Sequence, residues 1–141
     1  MSSITRDKVL QAKALTKQAD FDVWLVFVRE TSVGADPILN LIYEGGLTWQ
    51  SALIVTSSGK SIAVVGNYDA DSLVGTGDWD QVIPYVQGIR DPLLDVLEVE
   101  VSEGGSIGVN FSQDDVHSDG LSHGMFLLLE RYLAGTRFEG R

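Results

Sequence analysis

The stretch Asp22-Val23-Trp24-Leu25-Val26-Phe27-Val28 decides how this chain folds. After the aspartate it is an unbroken apolar run, rich in branched and aromatic residues. A strand with one wet face alternates apolar with polar residues; a run without alternation marks a strand covered on both faces. We read it as the central strand of a sheet. Two further runs of the same character, Ala52–Thr56 and Ile62–Val65, lie downstream. Between them Ser57-Ser58-Gly59-Lys60 has the length and composition of a hairpin loop.

Working outward, the segment Ser3 to Ala19 predicts a helix, with Ser3 as its cap and Asp7 where the dipole favours an anion. Its apolar stripe, Ile4, Ala12, Leu15 and Ala19, is weak, as expected of a helix lying on a sheet or a partner. A polar loop, Glu30 to Asp36 with Gly34, leads to a short helix over Pro37 to Tyr43, with Asp36 as cap. Beyond the hairpin a short helix is predicted around Ala70 to Val74. Val82 to Val86 is a strand whose Pro84 removes a ladder donor and points to an edge or a strand start. Pro92 to Leu97 reads as a helix capped by Asp91, and Ile107 to Phe111 as the last strand. Leu121, Met125, Leu128, Leu129 and Tyr132 form one apolar face of a final helix, with Asp119 at its start and Gly135 at its end. The fold class is therefore α/β: a mixed sheet, an antiparallel hairpin plus strands joined through helical crossovers, flanked by helices.

The chain has 141 residues, 44% hydrophobic and 21% charged, which is globular composition for one domain. With no cysteine there is no disulfide framework, thiolate metal site or thiol nucleophile. Met1 to Lys8 lacks the apolar block of a signal peptide, and Val23 to Val28 is too short to span a bilayer, so the expected compartment is the cytoplasm. Lys and Arg number 10 against 20 Asp and Glu, a formal charge of −10 that repels nucleic acid and anionic lipid. Between Ser61 and Asp119 the only cation is Arg90. That acidic stretch reads as a solvated face, or as a docking surface for a basic partner or cations.

No motif declares an activity. Ser58-Gly59-Lys60-Ser61 resembles the end of a phosphate loop, but Ile54 stands where the motif needs glycine and a strand follows where it needs a helix. Asp114, Asp115, His117, Asp119 and His123 are metal-capable, yet the two histidines, six apart, do not share a helix face. A structural or solvated role is the plainer account of them. Trp49, in Gly45-Gly46-Leu47-Thr48-Trp49-Gln50, is an aromatic on a glycine-rich loop, which either plugs the core or lines a cleft or interface.

The helix before Asp22-Val23-Trp24-Leu25-Val26, then Asn40-Leu41-Ile42-Tyr43-Glu44-Gly45-Gly46, then the Ala52 to Val65 hairpin, resembles the N-terminal domain of the creatinase, prolidase and aminopeptidase P family. Asn40, Tyr43 and Gly46 fall on its Asn-x-x-Tyr-x-x-Gly pattern, and Ile107-Gly108-Val109 looks like the strand before its last helix. The resemblance implies a ribonuclease H-like mixed sheet over residues 1–135, with 136–141 beginning a linker to an absent C-terminal catalytic domain. In the family that domain holds two divalent metal ions and hydrolyses the bond preceding proline. No residue of this chain matches those ligands, so no catalytic or metal residue is assigned here. The resemblance further implies a non-catalytic N-terminal half of an Xaa-Pro peptidase, a homodimer in which this domain overhangs a neighbour's substrate cleft. Leu47 and Trp49, just after the matched glycine, are the residues expected to face that cleft. A chain lacking its partner domain is expected to expose an apolar patch around Tyr132, Leu133 and Phe138.

Two other classes are weighed against this. A carboxylate-metal nuclease needs an acid inside the first strand, and Trp24 to Val28 carries none. A stand-alone acidic binding or regulatory module, without enzymatic activity, is compatible with the acidic stretch and the paired glycines.

Overall fold

The computed structural model describes residues 3–33 and 36–140. The cap expected from the side chain of Ser3, and the turn at Gly34, lie outside the described residues. In chain order the elements are α1 (Ser3–Gln18), β1 (Val23–Val28), α2 (Leu39–Ile42), β2 (Ser51–Thr56), β3 (Ser61–Gly66), α3 (Asn67–Thr76), β4 (Gln81–Tyr85), α4 (Arg90–Glu100), β5 (Ile107–Val109) and α5 (His123–Leu133). A single 3₁₀ turn, Val116–Ser118, precedes α5.

The apolar run of β1 does what its composition demands. Val23, Leu25 and Phe27 point into one core, with Ala52, Ile54, Ile62 and Val64 of the hairpin and with Leu93 and Leu97 of α4 and Met125 and Leu129 of α5. Trp24, Val26 and Val28 point the other way, into a core shared with Leu53, Val55, Ala63, Val65 and the helices α1, α2 and α3. The two-residue period of a strand thus divides the apolar residues between two layers. Every residue of β2 and β3 is buried. The sheet order is β4-β3-β2-β1-β5. β2 is antiparallel to both β1 and β3, while β5 runs parallel to β1 and β4 parallel to β3. Four strands therefore point one way and β2 alone points back.

The hairpin loop closes as the sequence predicts. The Thr56 amide donates to Lys60 O at 2.9 Å, the Lys60 amide donates to Thr56 Oγ1 at 3.0 Å, and Gly59 takes a left-handed φ of 97°. Pro84 sits in edge strand β4, paired with Val65 of β3, the kind of position where a strand tolerates proline. Gly135, with φ 75°, ends α5.

Several expectations are corrected. The buried face of α1 is Thr5, Val9, Ala12 and Thr16, whereas Ile4 and Leu15 stand more than half exposed. Thr16 can be buried because its hydroxyl donates to Ala12 O at 2.8 Å. Helix α4 is longer than predicted at both ends. Asp91 lies inside its first turn, paired with Arg90 at 2.8 Å, rather than capping it. Pro92 is tolerated there because first-turn amides have no intrahelical acceptor. The cap of α5 is Ser122, whose Oγ accepts from the Met125 amide at 3.3 Å; Asp119 instead accepts from the Ser112 amide at 3.2 Å. Strand β5 stops at Val109 because the Asn110 carbonyl turns to accept from the Gly120 and Leu121 amides. The expected apolar patch is also absent: Leu133 and Phe138 are buried, and the Arg137 guanidinium covers the Phe138 ring at 4.4 Å. Arg137 is itself held by Val101 O at 2.7 Å and by Glu98. Among the described residues no helix is long and apolar enough to cross a membrane.

Replacing Ile54, fully buried at mid-sheet, by Ala should cost about 3 kcal/mol in urea unfolding, from lost transfer energy and the cavity left behind. Leu15→Ala, on the exposed face of α1, should change stability by less than about 0.5 kcal/mol. Equal losses for the two would contradict this assignment of faces.

Candidate functional site

Because β1, β3, β4 and β5 run in one direction, their C-terminal ends meet on a single edge of the sheet. In open α/β sheets this edge is where ligands bind, since the connecting loops leave a crevice there. The loop entering β2 also reaches it, and with it Trp49.

Two loops are locked together at this edge. The Thr31 amide donates to Leu47 O at 3.0 Å, and the Glu30 amide to Thr48 O at 3.2 Å. The Leu47 amide donates in turn to Thr31 Oγ1 at 2.9 Å. Glu30 adopts a φ of 45°, a backbone state that side-chain-bearing residues rarely take. From the other side Asp69, in the first turn of α3, accepts from the Thr48 amide at 2.9 Å and the Trp49 amide at 3.5 Å. That carboxylate is buried and lies near a helix N-terminus, where the dipole favours its charge.

Trp49 is 39% exposed. Its indole lies over Gly66, where any Cβ would collide with the ring, and tilts against Tyr85 with centroids 5.9 Å apart. The Tyr85 hydroxyl donates to Gln50 O at 2.6 Å, and the Tyr132 hydroxyl donates to Gln50 Oε1 at 3.3 Å. Burial, reinforced by Tyr132 and Asp69 nearby, pushes the Tyr85 phenol up to about 12. Trp49, Tyr85, Gln50, Gln87 and Arg29 line an open hollow of about 410 Å³. Leu47 is different: it is buried in the core beneath α2 and α3, so of the two residues singled out in the loop only Trp49 presents side-chain surface.

On the far side of Arg29 and Glu30 opens a larger cleft of about 780 Å³, floored by Phe27, Leu121 and Met125 and flanked by Phe111, Phe126 and His123. A half-buried polar chain anchors its wall. Trp24 Nε1 donates to Asn110 Oδ1 at 2.6 Å, Asn110 Nδ2 donates to Asp36 Oδ2 at 2.8 Å, and Asp36 Oδ1 accepts from the Ile38 amide at 2.9 Å. Gly120 packs against the Asp36 carboxylate so closely that a side chain there would overlap it. Asp36 thus holds the turn that leads into α2 but does not cap the helix as predicted: α2 begins at Leu39 rather than Pro37, with Ile38 at its N-cap and no side-chain cap hydrogen bond; Asn110 is a linker that the sequence did not single out. A half-buried asparagine bonded at both ends leaves no periodic signal.

The metal-capable cluster does not assemble. Asp115 caps the 3₁₀ turn through the His117 amide at 3.0 Å, and that hydrogen bond, with one from Ser118, holds its carboxyl below the usual range. Among the described residues no three His, Cys, Asp or Glu side chains converge as a metal site would require. The residues present therefore do not fit the pair of metal ions that the family resemblance implies, and no chemical step of this chain is derived through them.

No protein-family model matches the chain, and no curated protein matches it. Solved structures do. The N-terminal domain of Xaa-Pro dipeptidase from Lactobacillus brevis superposes with a TM-score of 0.63 at 16% identity, covering 92% of this chain and 87% of that one. The creatinase/prolidase N-terminal domain of an X-Pro dipeptidase from Streptococcus pyogenes gives a TM-score of 0.61 at 15% identity, covering 93% and 91%. Against the Xaa-Pro dipeptidase of Bacillus anthracis the TM-score is 0.62 at 10% identity; 94% of this chain is covered but only 32% of that one. The fold is that of the N-terminal creatinase/prolidase-like domain: a five-stranded mixed sheet flanked by helices. This chain spans about a third of the longer structure.

The Tyr85 environment gives a direct check. Below pH 10 its contribution to stability is intact. Above pH 10 the unfolded chain releases a proton that the folded chain keeps up to about pH 12, so stability falls across that window. A tyrosinate absorbance step near pH 12 should be present in the native protein and missing in Tyr85→Phe. A Tyr85 that ionises at the ordinary value would mean that its phenol is not held in this buried position.

Proposed function

We propose that this chain is the N-terminal domain of a metal-dependent Xaa-Pro peptidase, with hydrolysis performed by a C-terminal catalytic domain of the same polypeptide. The observation that carries this reading is the pairing of two coverages. Domains of Xaa-Pro peptidases match the chain almost end to end, and a longer peptidase contains the same fold as about a third of its length.

In this reading the aromatic hollow at the sheet edge contributes to the substrate cleft, in a homodimer that brings the domain over its neighbour. Trp49 is the residue suited to that task. Its indole is part exposed, fixed by Gly66 beneath it, and its loop is clamped by Asp69. A rigid amphipathic aromatic contributes large contact area with little ordering cost, which suits an apolar substrate group such as a prolyl ring. Leu47 supports the loop from below rather than touching substrate.

In the polypeptide that carries both domains, Trp49→Ala should lower kcat/KM on Xaa-Pro peptides by about tenfold or more, with the unfolding midpoint little changed. Light scattering on the same protein should give the mass of a dimer. Unaltered kinetics combined with a large drop in stability would assign Trp49 to packing and remove it from the cleft.

A further inference from the structure

Most of the apolar stripe that the sequence suggests for α1 stays out of the core. Ala12 is buried, but Leu15 is 56% exposed, and Ala19, just past the helix, is exposed too. These three residues line a groove of about 310 Å³ between α1 and α2. Ile38 and Leu41 line it from the α2 side, and Leu41 is 46% exposed. Phe21 and Trp24, both half-buried, complete the apolar lining. Small-ligand pockets span about 300–1,000 Å³ and have this apolar and aromatic character. The groove shares no residue with the aromatic hollow or with the cleft beside Asp36.

Its charge also differs from theirs. The hollow at Trp49 carries Glu30, and the larger cleft carries Glu30, Asp36 and Asp119. No carboxylate lines this groove, and its single charged residue is Lys8. On a chain of net charge −10 that is a local reversal of sign. Lys8 is half-buried, and its ammonium makes no ion pair or hydrogen bond among the described residues. Two other cations of α1 are committed: Arg6 pairs with Asp78 at 3.4 Å and Lys13 with Asp80 at 2.8 Å. A partly desolvated charge without a partner is costly, and an incoming carboxylate relieves that cost through a charge-assisted hydrogen bond. The other polar groups are neutral and largely spent. The Thr16 hydroxyl donates to Ala12 O at 2.8 Å, and Trp24 Nε1 donates to Asn110 Oδ1 at 2.6 Å. Lys8 and Leu15 stand two helical turns apart on α1, about 10 Å along its axis, the reach of a short alkyl chain.

We infer that this groove binds a small apolar monocarboxylate of the fatty-acid class, with its alkyl chain between Leu15 and Leu41 and its carboxylate on the Lys8 ammonium. A neutral apolar ligand leaves Lys8 without a partner, and a cationic one meets it with repulsion. The site needs neither the aromatic hollow nor a second domain, so it stands independently of the peptidase reading.

Isothermal titration calorimetry on the purified 141-residue chain compares octanoate, kept below its micelle concentration, with octanol, octylammonium and acetate. Octanoate should bind one to one, about tenfold more tightly than octanol, because only octanoate gives Lys8 a charged partner. Octylammonium and acetate should show no saturable binding. Lys8→Met keeps the apolar stem and removes the charge, so it should bring octanoate down to the level of octanol. Leu15→Ala, on the exposed face of α1, should weaken octanoate and octanol alike by about fivefold. Unfolding midpoints measured alongside establish that both variants fold. No saturable binding of octanoate would overturn the proposal and leave the groove as a surface for protein. Equal affinity for octanoate and octanol would overturn it too, because Lys8 would then play no part in recognition. So would octanoate binding that survives either variant unchanged, because the ligand would then sit elsewhere.

Discussion

Burial of the three central strands on both faces is the constraint from which the rest of this structure follows. β1 is bonded to β2 on one side and β5 on the other, and its side chains alternate between two apolar layers. Neither layer can form without helices to close it. α4 and α5 close one, α1, α2 and α3 the other. With the strands enclosed, the surface available for recognition is the sheet's end, where the loops after β1, β4 and β5 meet the loop before β2. The hollow at Trp49 and the cleft beside Asp36 are both consequences of that geometry.

The acidic excess acquires a second meaning in three dimensions. Part of it is solvated, but several carboxylates organise backbone. Asp36 holds the turn that leads into α2, Asp69 clamps the Trp49 loop, and Asp80 joins α1 to β3 through Lys13 at 2.8 Å and the Ser61 amide at 3.0 Å. The Lys13 contact, with the Ser61 amide, holds the Asp80 carboxyl below its usual value. Each of these replaces a hydrogen bond that a loop cannot make with itself. Asp78 is the exception, with one oxygen paired and one not.

Element type was legible wherever local chemistry and burial agree. The unalternating runs of β1, β2 and β3, the Gly59 turn, the edge position of Pro84 and the stop at Gly135 all rest on short-range physics that tertiary packing did not override. Helix faces and caps were less legible. In α1 the buried positions include two threonines, so a stripe drawn through apolar residues selected Ile4 and Leu15, which face solvent. At α5 both Asp119 and Ser122 are chemically able to cap, and only the return of the Gly120–Leu121 amides to Asn110 decides between them. The candidate site was half visible: Trp49 stood out as an aromatic among glycines, while Tyr85, Asp69 and Asn110 come to the edge from distant segments. Leu47 is buried, and that burial follows from an inward-facing register that spacing alone does not reveal.

The chain shares its fold with N-terminal domains of Xaa-Pro peptidases at 10–16% identity, and at the end of its sheet Trp49 and Tyr85 form an aromatic edge. Under the proposed function, this domain supports and shapes a reaction performed by other residues. The most direct measurement is hydrolysis of an Xaa-Pro dipeptide by the purified 141-residue chain in the presence of manganese, cobalt or zinc. No turnover above the metal-only blank is expected. Turnover that scales with protein and disappears with a chelator would contradict it.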